Sequence, residues 1–178
     1  MAKRLELLKE IVPSMMRAGV FLFRGSPAGA PILEAMGATA KALGVELQSI
    51  EVDRLTDLNG AFSALVNQQM SGLVVQDHAF FLANADTITR LATDKQISSI
   101  CSPQWAASGG LMGYGVNFSD QFRRAAMFVD KILKGTNPGD IPVEQATNFV
   151  TIINLKAARK LGVAIPPAIL SRADEVIE

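Results

Sequence analysis

The sequence is poor in the residue types that carry most enzymatic chemistry. Among its 178 residues there is one cysteine, one histidine, one tryptophan and one tyrosine. A lone Cys101 excludes an internal disulfide and a cysteine-rich metal site. Net charge is also lacking: 17 Lys and Arg balance 17 Asp and Glu, which leaves no electrostatic footprint for nucleic acid or an anionic membrane. The apolar runs are short and broken by charge or glycine, below the roughly 18 to 20 residues that span a bilayer. The opening "MAKRLELLKEIVP" is charged and amphipathic, without the apolar core or small-residue cleavage site of an export signal. No G-x-x-x-x-G-K-[ST] loop occurs.

What is present is a globular composition, 49% apolar and 19% charged, with no marker of disorder. Leu5, Leu8, Ile11 and Val12 recur at helical spacing, and Pro13 ends that run. "AGVFLFRGSP" reads as an apolar strand entering a turn, and "PILEAMGATAKALG" as a helix stopped by Gly44. "VELQSIEV" alternates with period two, as a strand does. A helix through Phe62 and Leu65, the strand "SGLVVQ", the helix "ADTITRLATDKQ" and the strand "ISSICS" follow. Regular strand–helix alternation implies parallel strands with helices on both faces, an α/β class.

Past residue 108 the pattern changes. Asn117 or Ser119 opens a helix, "DQFRRAAMFVDKILKG", whose Phe122, Ala125, Ala126, Val129, Ile132 and Leu133 are expected to face inward. "NFVTIIN" is a strand, "LKAARKLG" a short helix and "IPPAILSRADEVIE" a proline-initiated final helix. The strand candidate "LMGYG" lacks an obvious mate. It must pair elsewhere in this chain, with another subunit, or with a further domain.

The chemistry-bearing residues are few. "SGGLMGYGVN" fails as a dinucleotide loop, because Phe118 stands where a third glycine belongs. His78, beside Asp77, has no nucleophile near it in sequence, and polar loop residues are the plainer reading. Cys101 is expected as a buried hydrophobe, and Trp105 as a packing anchor or an aromatic wall for a ligand. Three loops follow strand ends on one sheet edge: Arg24-Gly25-Ser26, Gln76-Asp77-His78, and Ser102 through Trp105. Open α/β sheets place ligands at that edge, so these residues form a recognition surface for a small molecule. No catalytic residue, metal or cofactor is assigned to it.

"KRLELLKEIVP", together with the run from "GGLMGYGVNFSDQFRRAAMFVDKILKG" to the end, resembles the C-terminal part of bacterial ABC-transporter substrate-binding proteins of the tryptophan/tyrosine-uptake type. The resemblance covers about the last half of such a protein. It implies a type I periplasmic-binding fold, in which two α/β lobes close on a solute. Residues 1–108 then correspond to a parallel-sheet, three-layer second lobe. Residues 109–140 are remnants of the first lobe, a crossing strand and a helix, and 141–178 hold the return strand and C-terminal helices. Gly109, Gly110, Gly113 and Gly115 become hinge positions, and Arg24 a partner for a ligand carboxylate.

The function implied is non-catalytic binding of a small organic solute, such as an aromatic amino acid, for an ABC permease. The full-length family is periplasmic or membrane-anchored. The alternative is a stand-alone cytoplasmic derivative, homodimeric through its exposed crossing elements and acting as a structural or regulatory module.

Overall fold

A computed structural model describes residues 1–178. The strands are β1 (Arg17–Phe23), β2 (Glu46–Val52), β3 (Gly72–Val75), β4 (Ser98–Cys101), β5 (Met112–Val116), β6 (Phe149–Asn154) and β7 (Glu175–Ile177). The helices are α1 (Ala2–Ile11), α2 (Gly29–Leu43), α3 (Leu58–Asn67), α4 (Ala79–Ala83), α5 (Ala85–Asp94), α6 (Gln104–Ala107), α7 (Phe118–Leu133), α8 (Leu155–Lys160) and α9 (Pro167–Leu170).

All seven strands join one sheet in the order β2-β1-β3-β4-β5-β6-β7. Neighbours from β2 to β5 run parallel, β6 is antiparallel to β5, and β7 is parallel to β6. Alternation along each strand divides the core into two layers. Ala18, Val20 and Leu22 of β1 and Val74 of β3 pack with Leu5, Leu8 and Ile11 of α1 and Met36 and Ala40 of α2. Phe21, Leu73 and Val75 point the other way, onto Phe62 and Leu65 of α3, Phe81 of α4 and Ile88 of α5. A period of two is what sends neighbouring β-branched and aromatic residues to opposite helical layers. The parallel α/β expectation is met in this three-layer arrangement.

Three elements differ from the sequence reading. The "LMGYG" segment is not an orphan. It pairs with β4 through Ile100–Met112 and Cys101–Gly113, and with β6 through five registers from Met112–Ile153 to Val116–Phe149. Its mate is the β-branched strand that arrives 33 residues later, a distance at which local periodicity carries no pairing information. The C-terminal "DEVIE" is likewise not helical: α9 stops at Leu170 and the chain ends as β7 beside β6. Finally, the apolar residues of α7 do not face inward. Asn117 caps this helix by accepting from the Asp120 N–H at 3.3 Å, yet none of its sixteen residues is buried.

Candidate functional site

Parallel strands direct their C-terminal ends to one edge, and the three loops picked out from sequence meet there. Gln76 organises two of them. Its side chain is buried, its Oε1 accepts from the Phe23 N–H at 2.8 Å, and its Nε2 donates to Ser26 Oγ at 2.9 Å. An amide can do this because it carries an acceptor and donors on one planar group. Gln76 therefore holds the β1 loop to the β3 loop and is itself turned away from solvent. Gly25 makes the turn between Phe23 and Ser26 with φ of +73°.

Asp77 stands at the rim with its side chain about half exposed, and Arg4 holds it from below at 2.8 Å. Arg4 is the site residue that sequence reading missed. It sits in the first turn of α1 and is buried at 4% exposure, a rarity for arginine unless every donor is occupied. Its Nε donates to the Tyr114 carbonyl at 2.7 Å, Nη1 to the Val75 carbonyl at 3.4 Å, and Nη2 to Asp77. The rigid fork thus joins the ends of β3 and β5. No local motif marks Arg4, since "AKRLELL" reads as an ordinary exposed first turn.

His78 caps α4, its Nδ1 accepting from the Phe80 N–H at 3.2 Å. Its ring stacks on Phe23 at 3.9 Å between centroids and 13° between planes, with Phe80 tilted against Phe23 at 5.8 Å. Phe23, His78 and Phe80 are all partly exposed and form an aromatic rim that the sequence analysis left unassigned. The period-two strand pattern could have found Phe23, the last residue of β1.

Trp105 is not at this surface. It is completely buried, with Nε1 donating to Ser99 Oγ at 3.0 Å, and it anchors α6 against the sheet. The aromatic-wall expectation fails because the loop after β4 folds back as a helical turn. Arg24, its side chain half exposed, reaches Asp53 at 3.3 Å and Glu51 at 3.9 Å at the neighbouring strand end. Ser102 is buried, and its Oγ has no hydrogen-bond partner. A shallow hollow of about 190 Å³ opens beside it between Pro103, Gln104, Asn117 and Val150.

The glycine stretch, Gly109 to Gly115, is closely packed. A Cβ on Gly110 would overlap the Trp105 indole, and one on Gly113 would lie 2.7 Å from Pro103 Cα. Gly109 turns the chain before β5 with φ of +96°, and Gly115 lies within β5, hydrogen-bonded into the sheet. β5 belongs to the same sheet as β4, and α7 begins directly after it at Phe118.

Burial pushes the Cys101 thiol from its ordinary 9.0 up to about 12, with Asp77 adding to the effect and Arg4 opposing it. A thiol held protonated makes a poor nucleophile. No cluster of three or more His, Cys, Asp and Glu gathers on this edge or elsewhere. A larger hollow of about 590 Å³ lies at the opposite sheet edge, among Thr89, Arg90, Ser108, Asn154, Lys156 and Lys160. Its lining has one apolar residue, Ala157, unlike the mostly apolar walls of small-molecule sites.

Comparison with known proteins agrees with the fold. Among solved structures, a conserved domain protein from Vibrio cholerae superposes with a TM-score of 0.88 at 23% identity, over 98% of this chain and 59% of that one. An ABC domain from Streptococcus pneumoniae, in complex with L-Trp, gives 0.87 at 21%, over 99% and 60%. A ligand-free, open substrate-binding protein with adhesive properties from Clostridium difficile gives 0.72 at 22%, over 97% and 58%. At such identities the likeness establishes the fold, and the chain spans about three fifths of the length of each. No curated protein matches it. The sequence signature described as ABC transporter substrate binding protein matches residues 1–177. The chain belongs to the ABC transporter substrate-binding protein family.

Proposed function

We propose that this chain is a solute-binding lobe of an ABC import system and holds a small organic ligand, such as an aromatic amino acid, without transforming it. The observation that carries the reading is the knitted C-terminal sheet edge. Gln76 fixes the loops after β1 and β3 against each other, and they present Gly25, Ser26, Asp77 and His78 next to the Phe23–Phe80 aromatic rim. Hydroxyl, carboxylate, imidazole and flat apolar rings are the groups that recognise an amino acid with a ring. Ser102, with its unpartnered hydroxyl, lies at the floor of the same edge. The buried, protonated Cys101 and an imidazole engaged as a helix cap support binding without catalysis. The working partners are the solute and an ABC permease, in a periplasmic or membrane-anchored setting.

In this reading the excursion from Asn117 to Asn148 belongs to the neighbouring lobe of a two-lobed binding protein. A single lobe buries only one side of a ligand and so binds it weakly. Amide NMR spectra of the chain titrated with the twenty amino acids test the assignment. Aromatic amino acids are expected to shift Gly25, Ser26, Asp77 and His78 with affinity on the order of 1 mM. Unchanged spectra with every amino acid, or shifts confined to the opposite edge around Lys156, would remove the proposal.

A further inference from the structure

Two hydrogen-bond chains run out to the C-terminal sheet edge, and each starts at a backbone N–H, a group that can only donate. In the first, Phe23 N–H donates to Gln76 Oε1 at 2.8 Å. That bond fixes which way the amide faces, so Gln76 Nε2 is the end that donates to Ser26 Oγ, at 2.9 Å. Ser26 Oγ therefore accepts from within, and its own proton has no acceptor in the chain. In the second, Phe80 N–H donates to His78 Nδ1 at 3.2 Å. Nδ1 then carries no proton, and the neutral ring holds it on Nε2. His78 Nε2 is neither bonded within the chain nor sealed from solvent. Gly25 N–H, in the turn before Ser26, is also unpaired.

We propose that the loops after β1 and β3 read the carboxylate of the solute and not its ammonium group; this rests on the solute-binding reading above. A carboxylate has lone pairs on two oxygens and no proton, so it can accept from Gly25 N–H, Ser26 O–H and His78 Nε2–H. An ammonium has only protons to offer. Ser26 Oγ keeps one lone pair for it, but Gly25 N–H and His78 Nε2–H would face it proton to proton. The anions nearby are already paired: Asp77 with Arg4 at 2.8 Å, and Asp53 and Glu51 with Arg24 at 3.3 and 3.9 Å. Hydrogen bonds from neutral donors to a charged acceptor are stronger than neutral ones, and they bring no second charge out of water. The direction of His78 Nε2–H is held as well, because its ring stacks on Phe23 at 3.9 Å and 13°. The donors thus lie beside the aromatic rim, which suits a solute carrying a ring and a carboxylate a few bonds apart. Gln76 sets the sense of the arrangement. A glutamate in its place would accept from both Phe23 N–H and Ser26 O–H, turning the hydroxyl proton inward.

Three probes separate the two poles: L-phenylalanine, 3-phenylpropionate, which lacks the ammonium, and phenethylamine, which lacks the carboxylate. In amide NMR titrations of the chain, 3-phenylpropionate is expected to shift Gly25, Ser26 and His78 with affinity within about threefold of L-phenylalanine, and phenethylamine to leave them unmoved up to about 10 mM. Ser26→Ala, and Gln76→Glu with the Phe23 amide still protected, should each weaken 3-phenylpropionate about tenfold. Long-range proton–nitrogen correlation of the His78 ring, at a pH where imidazole is neutral, should find the proton on Nε2. Phenethylamine binding as well as 3-phenylpropionate at these residues overturns the inference and leaves the solute-binding reading standing. A proton on Nδ1, or full affinity for 3-phenylpropionate in Ser26→Ala, does the same. No shift with any of the three, L-phenylalanine included, removes the inference together with the site.

Discussion

Removing the Arg4 guanidinium is the sharpest way to probe how this edge is held. In Arg4→Met the stem is kept and the fork is lost, leaving the Tyr114 and Val75 carbonyls and Asp77 without their donor. A buried carbonyl without a partner costs roughly 1 to 3 kcal/mol. The 2.7 Å bond to Tyr114 deserves the upper part of that range and the 3.4 Å bond to Val75 the lower. Asp77 is half exposed and rehydrates, so little is charged to it. The expected loss is about 2 to 4 kcal/mol of unfolding free energy. Asp77→Asn acts through the opposite partner. It leaves the guanidinium, at 5% side-chain exposure, without a counter-charge, and should cost at least as much. The double variant should then sit near Arg4→Met alone, because the unpaired charge is gone. Urea unfolding measures all three, and hydrogen exchange at Tyr114–Asn117 reports whether the end of β5 loosens locally. A loss below about 0.5 kcal/mol for Arg4→Met, or singles that simply add in the double, would show that the fork is not what joins these strands.

Gly113→Ala should destabilise by about 2 kcal/mol or more, because its new Cβ meets Pro103 backbone, which cannot rotate aside; thermal unfolding reads the loss. Trp105→Phe keeps most of the apolar volume but strands Ser99 Oγ, so about 1 to 2 kcal/mol should go from the same measurement. Cys101 has its thiol pKa raised from 9.0 to about 12 in the folded chain, so the unfolded chain releases its proton first. That contribution is intact below pH 9 and drains away as pH climbs toward 12, visible as falling stability in alkaline urea titrations and as thiol labelling at pH 8 only after unfolding. Gln76→Leu keeps the volume and cuts both bonds between the loops. Exchange protection of the Phe23 amide should drop while that of Val20 stays, and equal loss at both would point to general unfolding instead.

The legible part of the molecule follows from range. Most strand and helix periods, Gly44 as a helix stop and Asn117, one of two cap candidates, are set within a few residues, and the structure keeps these while turning "DEVIE" into a strand. The loops after β1, β3 and β4 were identifiable as neighbours because parallel strands with helical crossovers must put those ends on one edge. The roles inside the loops were not. Arg4 meets Asp77 across 73 residues and Tyr114 across 110, and nothing in its own helical turn distinguishes it from Lys3. Trp105 and Ser102 share a loop with exposed Gln104, and only the fold-back into α6 decides which of them faces solvent.

By itself, then, the sequence determined an α/β chain with parallel strands, two helical layers and one edge where the strand-end loops gather. Local backbone preference and side-chain period suffice for that. Tertiary structure alone decided that "LMGYG" closes onto β6, that glycine at 110 and 113 makes room for Trp105 and Pro103, and that the apolar residues of α7 do not turn onto this sheet. Each of these depends on which surfaces meet after the chain has folded back on itself, and periodicity states that a face is apolar without stating what will cover it.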